Sequence, residues 1–282
     1  MHSIALTVLV YMTLAVSWDM LLRSGQISFG IAGFFGLGAY GSALSMLKLD
    51  IPQMLSIPVG ALVSFVVAFF IGYLVLRLRG MYFAIVTLAL SEIFRVVMTN
   101  LHDFAGGPEG EILPQVMLGG DSRYMYWAML FIAVITVIIS QLFQKSRIHF
   151  ALTAIRNDEI VAQSSGINIF RWLVFAFAIT SALQGLVGGA YAQVYGFVTP
   201  ESSFNLDFTL LPLAMALLGG IYGTAGPVIG AIILGVVAEY LKLYIPYGHL
   251  VIYGVIIVVV ILFMPQGIVG LVKQFIKHRS KA

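Results

Sequence analysis

LSIPVGALVSFVVAFFIGYLVL, residues 55–76, runs through 22 positions without one charged side chain. A helix of that length rises about 33 Å, enough to cross the roughly 30 Å hydrocarbon core of a bilayer. The rest of the chain repeats the pattern. Of its 282 residues 60% are hydrophobic and 10% charged, with a mean hydropathy of +1.01; a soluble domain has about 45–50% apolar and about 25% charged residues. Twelve acids and fifteen bases are too few to clothe a chain of this size in water. That argues against a soluble enzyme, a nucleic-acid-binding protein and a disordered chain. The solvent for most of this chain is lipid.

Outward from 55–76, apolar runs at 4–22, 27–47, 81–98, 124–143, 172–192, 226–245 and 249–264 are further candidate spans, and 206–222 is a shorter, proline- and glycine-interrupted one. The fold class this predicts is all-α: a polytopic membrane helical bundle of about eight to nine spans in a single domain, 1–282. The first run lacks a basic leader and a small-residue cleavage site, so it reads as a retained span. With no cysteine, disulfides, thiolate metal sites and cysteine nucleophiles are excluded, and the five histidines show no metal-ligand spacing.

Orientation follows from the bases, which accumulate on the cytoplasmic side. Placing loop 144–171 inside puts eleven bases there: Arg23, Arg77, Arg79, Lys145, Arg147, Arg156, Arg171, Lys273, Lys277, Arg279 and Lys281. Lys48, Arg123 and Lys242 then lie outside, with the acidic, glycine-rich loop 99–123, and Arg95 falls within a span. The N-terminus is expected outside and the C-terminus inside, provided 206–222 crosses.

Small residues crowd three regions: 24–43, where Ser28, Ala32 and Gly36 recur every four positions; Gly185–Gly189; and LLGGIYGTAGPVIGA, where Gly219 pairs with Gly223 and Gly226 with Gly230. Such spacing lets helix backbones approach closely and also permits broken or re-entrant helices. Tight packing is one reading. Discontinuous helices flanking a path is the other, and interrupted segments in both halves of a chain point to a transporter's midplane and to an inverted repeat.

The ionisable residues in or near spans fall into pairs at helical spacing: Asp19/Arg23, Glu92/Arg95 and Glu239/Lys242. A charge at bilayer depth costs at least about 2.5–3.5 kcal/mol, and pairing lowers that cost. The first and last pairs lie near an interface and read as structural; Glu92/Arg95 is deeper and faces either a pore or a partner subunit.

Loop 144–171 holds ALTAIRNDEIVAQSSGIN (151–168). Asn157 is placed to cap a short helix whose first turn carries Asp158 and Glu159, matching the helix dipole. Gly166 is placed to end it, and Leu152 and Ile155 supply apolar contacts just upstream. A short capped helix outside the membrane is a docking element for a soluble partner, or an ordinary surface helix. No phosphate-binding loop, zinc-protease motif or nucleophile triad is present, so ATP-powered work would need another chain to bind the nucleotide.

Five blocks together carry a resemblance: SGQISFGIAGFFGLGAY (24–40), LRLRGMYFAIVTLALSEI (76–93) followed by Ala105-Gly106-Gly107, the 151–168 loop, MALLGGIYGTAGPVIGA (215–231) and MPQGIVGL (264–271). In order and spacing the chain resembles the branched-chain amino acid ABC permease family over nearly its whole length, its LivM-type member rather than its LivH-type partner. The resemblance implies a heteromeric importer in the bacterial plasma (inner) membrane. Its parts are this permease, a LivH-type permease, two cytoplasmic ATPases that bind ATP and Mg, and a periplasmic substrate-binding protein. The chain itself would then be no enzyme and would hold no cofactor or metal. The family's ATPase-coupling loop falls on 151–168, with Ala154, Arg156, Asp158, Glu159 and Gly166 at the pattern positions. Met264 stands where the family motif commonly has arginine, and the extra N-terminal span frequent in the family would make this chain a short version.

Transport by alternating access is the expected mechanism. The candidate path residues are Ser28, Gly33, Thr87, Glu92, Arg95, Gly219 and Gly220. The expected cargo is a branched-chain or other hydrophobic amino acid, with urea, short amides or another small solute as the alternative within the family. An ion-coupled secondary transporter or channel would want intramembrane carboxylates that these paired charges do not supply. A membrane-embedded enzyme would want a polar cluster that is not found.

Overall fold

The computed structural model describes residues 2–114, 121–244, 254, 255, 258 and 267–271. Apart from 254, 255 and 258, the expected span 249–264 lies outside the described residues, as do Met264 and the four bases of the tail. Among the described residues six helical stretches are long and apolar enough to cross a membrane: Ile4–Leu22, Gln53–Val75, Met81–Asn100, Arg123–Lys145, Ile169–Tyr195 and Pro200–Gly219. Two further helices occupy the runs read at 27–47 and 226–245: α2 (Ile31–Leu49) and α12 (Ala225–Tyr244). The chain is an all-α, multi-pass membrane bundle.

Its helices divide by burial. In α1 (His2–Leu22) 83% of the apolar window is buried and in α9 (Ile169–Tyr195) 78%, so these two form the middle of the bundle. In α3 (Gln53–Val75), α4 (Met81–Asn100) and α6 (Ser122–Lys145) the share is 28%, 22% and 33%, and these helices turn broad apolar faces outward. Where lipid is the solvent, such faces need no cover, and association rests on close packing and interhelical hydrogen bonds.

Glycine supplies the closeness where α2 crosses α9 and α3. A Cβ on Gly38 would fall onto the backbone of Gly185, and one on Gly60 onto the carbonyl of Gly38. The same junction holds buried polar contacts: Gln193 Nε2 donates to Ser42 Oγ (3.0 Å) and to the Gln53 carbonyl (2.9 Å), and also meets Ser56 Oγ. For the Gly185–Gly189 stretch, then, packing is what the structure displays.

The 206–222 run is short as a helix. Helix α11 (Asp207–Gly219) has 13 residues, about 20 Å. Helix α10 (Pro200–Ser203) precedes it, separated by Phe204–Leu206. In the loop read at 99–123 lie α5 (His102–Ala105), a single 3-10 turn at Gly107–Glu109 and β1 (Glu111–Ile112). Strand β1 pairs antiparallel with β2 (Phe197–Val198), Glu111 opposite Val198 and Ile112 opposite Phe197.

Candidate functional site

Loop 144–171 folds into two helices rather than one. Ser146 Oγ accepts from Ile148 N (3.3 Å) and starts α7 (Arg147–Asn157), which buries Ala151, Leu152 and Ile155. Asp158, not Asn157, then caps α8 (Glu159–Ser164): its Oδ1 accepts from Ile160 N (2.8 Å) and Val161 N (3.1 Å). The expected cap is displaced by one residue because α7 runs on through Asn157 and leaves Asp158 extended, the backbone a cap requires. The expected terminator holds. Gly166, at φ +81°, donates to Gln163 O (3.0 Å) while Ile167 donates to Ala162 O (3.1 Å), the paired bonds that close a helix with a left-handed glycine.

One side of this loop grips the bundle. Glu159 pairs with Arg79 of the α3–α4 turn at 3.0 Å. The guanidinium carbon of Arg156 stands 4.0 Å over the ring of Tyr222, in the α11–α12 turn. The stem of Arg156 also lies against the α1–α2 turn, where a Cβ on Gly25 would come 3.2 Å from its Cγ. Three inter-helix turns thus meet one short segment. Phe150, Ile160 and Val161 of the same segment are exposed apolar side chains outside the candidate spans. Nearby, His149 of α7 has Nδ1 buried without a hydrogen-bond partner. Burial, and then the charges of Arg23 and Arg156, hold this imidazole below its ordinary value of 6.5.

Tyr222 leads inward. It is one of the two non-glycine residues with positive φ (+66°) among the described residues, a conformation that must be held by its surroundings. Asp19 Oδ1 does so, accepting from Tyr222 N at 2.6 Å. Asp19 Oδ2 meanwhile takes Arg23 Nε (3.0 Å) and Nη2 (2.9 Å). Arg23 continues to α6, Nη1 donating to Ser140 O (3.1 Å) and Nη2 to Ser140 Oγ (2.8 Å), and reaches Thr224 Oγ1 at 3.3 Å. The pair read from the sequence is real, but it is wrapped in protein, Asp19 0% and Arg23 1% exposed. A cavity of about 190 Å³ opens beside it, lined by Gln144, the Gly220–Gly226 turn, Val269 and Gly270.

The α1–α2 break is the second polar knot. Helix α2 begins inside the bundle, where its first N–H groups lack intrahelical partners. Hydroxyls from three elements meet them: Thr87 Oγ1 accepts from Phe29 N (3.0 Å), Ser28 Oγ from Gly30 N (3.1 Å), Thr209 Oγ1 from Ala32 N (3.1 Å) and Ser91 Oγ from Gly33 N (3.1 Å). Of the path candidates, Ser28, Gly33 and Thr87 are therefore brought together. Gly219 and Gly220 lie apart from them, at the end of α11, where a Cβ on Gly219 would strike the Gly226 carbonyl. Glu92 and Arg95 pair with each other on an exposed flank of α4, beside rather than within this knot. The Lys242 side chain lies outside what is described. Sequence reasoning missed Tyr222, Ser91 and Thr209. Nothing distinguishes an isolated hydroxyl in an apolar run, or one aromatic in a glycine-rich turn, before the turns are brought together.

Among the described residues no group of three His, Cys, Asp or Glu is placed to hold a metal. What the structure offers is a multi-pass bundle with two polar, glycine-flanked helix breaks, and a short segment outside the candidate spans that touches three of its turns: the build of a polytopic membrane permease. Over residues 1–261 the chain matches the family described as branched-chain amino acid transport system / permease component, and it belongs to that family. It is 29% identical to the high-affinity branched-chain amino acid transport system permease protein LivM of Salmonella typhimurium, over 98% of this chain and 72% of that one. To the probable branched-chain amino acid transport permease protein LivH of Methanocaldococcus jannaschii it is 27% identical, over 84% and 82%. To the nucleoside ABC transporter permease protein NupB of Lactococcus lactis it is 25% identical, over 73% and 62%. No solved structure matches. The chain is thus a permease component of an ABC transporter, and its kinship to both LivM and LivH indicates a two-permease system.

Proposed function

We propose that this chain imports branched-chain or other hydrophobic amino acids into the cytoplasm by alternating access. It works as one of two unlike permeases above a pair of ATPases that bind ATP and Mg, fed by a periplasmic substrate-binding protein. Loop 144–171 faces the cytoplasm with the C-terminus, loop 99–123 faces the periplasm with the N-terminus, and 1–282 acts as one permease domain. The observation that carries this reading is the double face of α7–α8. Its exposed Phe150, Ile160 and Val161 suit a groove on a soluble engine. Its Arg156 and Glu159 hold the turns that join α11 to α12 and α3 to α4.

Motion of the engine enters through Ala154, Arg156, Asp158, Glu159 and Gly166 and leaves through Tyr222 and Asp19. The segments it shifts are the two breaks, Ser28–Gly33 with Thr87, and Gly219–Gly220, which change the side on which the path opens. Glu92 and Arg95 are the charged candidates for the border of that path. Hydroxyls line the α1–α2 break, and the charges beside the α11–α12 turn are neutralised by one another, which suits passage of an amino acid with an aliphatic side chain without a tight site.

The test is Arg156→Ala and Asp158→Ala in the reconstituted complex, reading ATPase stimulated by loaded binding protein. Stimulation should fall while assembly persists. Unchanged coupling, or ion-driven uptake by this chain alone, overturns the reading. Leucine, urea and a nucleoside offered in parallel to the binding protein decide the cargo.

A further inference from the structure

Three outer helices turn side chains toward the membrane, and one of them is unlike the others. The outward residues of α3 include Leu62, Phe70 and Leu74, and those of α6 include Trp127, Phe131, Val134, Ile138 and Leu142. Between its ends neither helix carries a charge, and such faces suit acyl chains. Helix α4 begins the same way, with Ile85 and Leu88 exposed, and then along the same stripe presents Glu92 and Arg95, each three or four residues on. The side chains of Glu92 and Arg95 are 58% and 40% exposed. By helix rise Glu92 lies about 16 Å from Met81 and about 12 Å from Asn100, near the middle of the span. Charged groups at that depth face a protein or a water-filled space rather than lipid.

We propose that this face of α4, Ile85–Leu88–Glu92–Arg95, is the surface on which the second, unlike permease subunit seats. The inference rests on the two-permease assembly argued above and assigns it a place on this chain. Glu92 and Arg95 neutralise one another, so the partner needs no net charge. It needs a membrane helix with small residues opposite Ile85 and Leu88, and hydrogen-bonding side chains opposite the pair. Arg95 spends Nε and Nη2 on Glu92, and Nη1, with no hydrogen bond among the described residues, is the donor such a helix would meet. Thr87 and Ser91 on the adjacent side of α4 already meet the start of α2 and the turn before it, and the exposed pair beside them takes no part in those contacts.

The chain has no cysteine, so Ile85→Cys, Ala89→Cys and Val96→Cys each give one site for a maleimide-linked benzophenone in membranes holding the assembled transporter. Phe70→Cys on α3 and Phe131→Cys on α6 are the controls. Irradiation should join this chain to the second permease from the α4 sites and not from the controls. In a second arm, Glu92→Ala/Arg95→Ala should lower the amount of second permease recovered with this chain by about tenfold, with the monomer's melting temperature unchanged. Cross-links to lipid alone, to a second copy of this chain, or to the second permease from Phe131 instead of α4 overturn the assignment while the importer reading stands. Recovery of no second permease with the unaltered chain overturns both.

Discussion

Two acid–base pairs of nearly the same spacing sit on two membrane helices, and the bundle treats them in opposite ways. Asp19 and Arg23 are enclosed and tied to α6 and the α11–α12 turn by hydrogen bonds in every direction. Glu92 and Arg95 touch each other and look outward. In water the second arrangement would be an unremarked surface ion pair. In a bilayer it is the costlier of the two, since the enclosed pair has partners for its polar atoms and the exposed one is left to hydrocarbon or to another subunit. The difference separates an internal tie from a contact offered outward, and spacing along the sequence does not distinguish them.

The sharpest way to break this contrast is to remove one member of each pair. Asp19→Ala or Arg23→Ala leaves a buried charge without its counterion and should destabilise the subunit by about 3–5 kcal/mol, seen as a lost melting transition in detergent and low yield of folded protein. Asp19→Leu/Arg23→Met together should restore much of that, because the desolvation cost vanishes with both charges. A subunit indifferent to the single changes would mean that the enclosure of the pair has no structural consequence.

Tyr222 tests whether the enclosed pair is a tie to the loop or merely a buried pair. Tyr222→Leu keeps the backbone N–H that Asp19 accepts but removes the ring beneath Arg156, a contact worth about 1–2 kcal/mol. Substrate-stimulated ATPase should drop by about tenfold with basal turnover retained, and Tyr222→Phe should behave as the unaltered chain. Equal losses in the leucine and phenylalanine variants would deny the ring its part.

For the outward pair, Glu92→Gln or Arg95→Gln should change the stability of the isolated subunit by less than about 1 kcal/mol, measured as melting temperature in detergent. A loss as large as that of Asp19→Ala would erase the contrast between the pairs.

The membrane class, the runs 55–76 and 172–192, and the pairing of Asp19 with Arg23 were legible because each depends on residues close in sequence. So was the end of α8, since a glycine two residues past a short helix has one common use. The start of α8 was not: Asn157 and Asp158 are both good caps, and the extent of α7, set by burial of Leu152 and Ile155, decides between them. Nor was the meeting of Ser28, Thr87, Ser91 and Thr209, which come from α4, α11 and the turn before α2 and share a site only through packing. The outward turn of Glu92 belongs to the same class of fact, since it depends on which face of α4 meets α2.

The smallest effect expected is a pH dependence, and it links the enclosed pair to the loop. His149 is held below its ordinary value of 6.5 by burial first and by Arg23 and Arg156 second. The unfolded chain therefore takes up a proton at His149 more readily than the folded one in the interval just below pH 6.5. Its stabilising contribution is complete above that value and is lost as pH falls toward the depressed folded one. Melting in detergent between about pH 7.5 and about pH 5.5 should decline for the unaltered chain and decline less for His149→Gln. In Arg156→Gln, with one of the two repelling charges gone, the decline should begin at lower stability but be shallower, because the folded value moves back toward the unfolded one. An unchanged slope in both variants would mean that His149 is not the group whose protonation sets the decline.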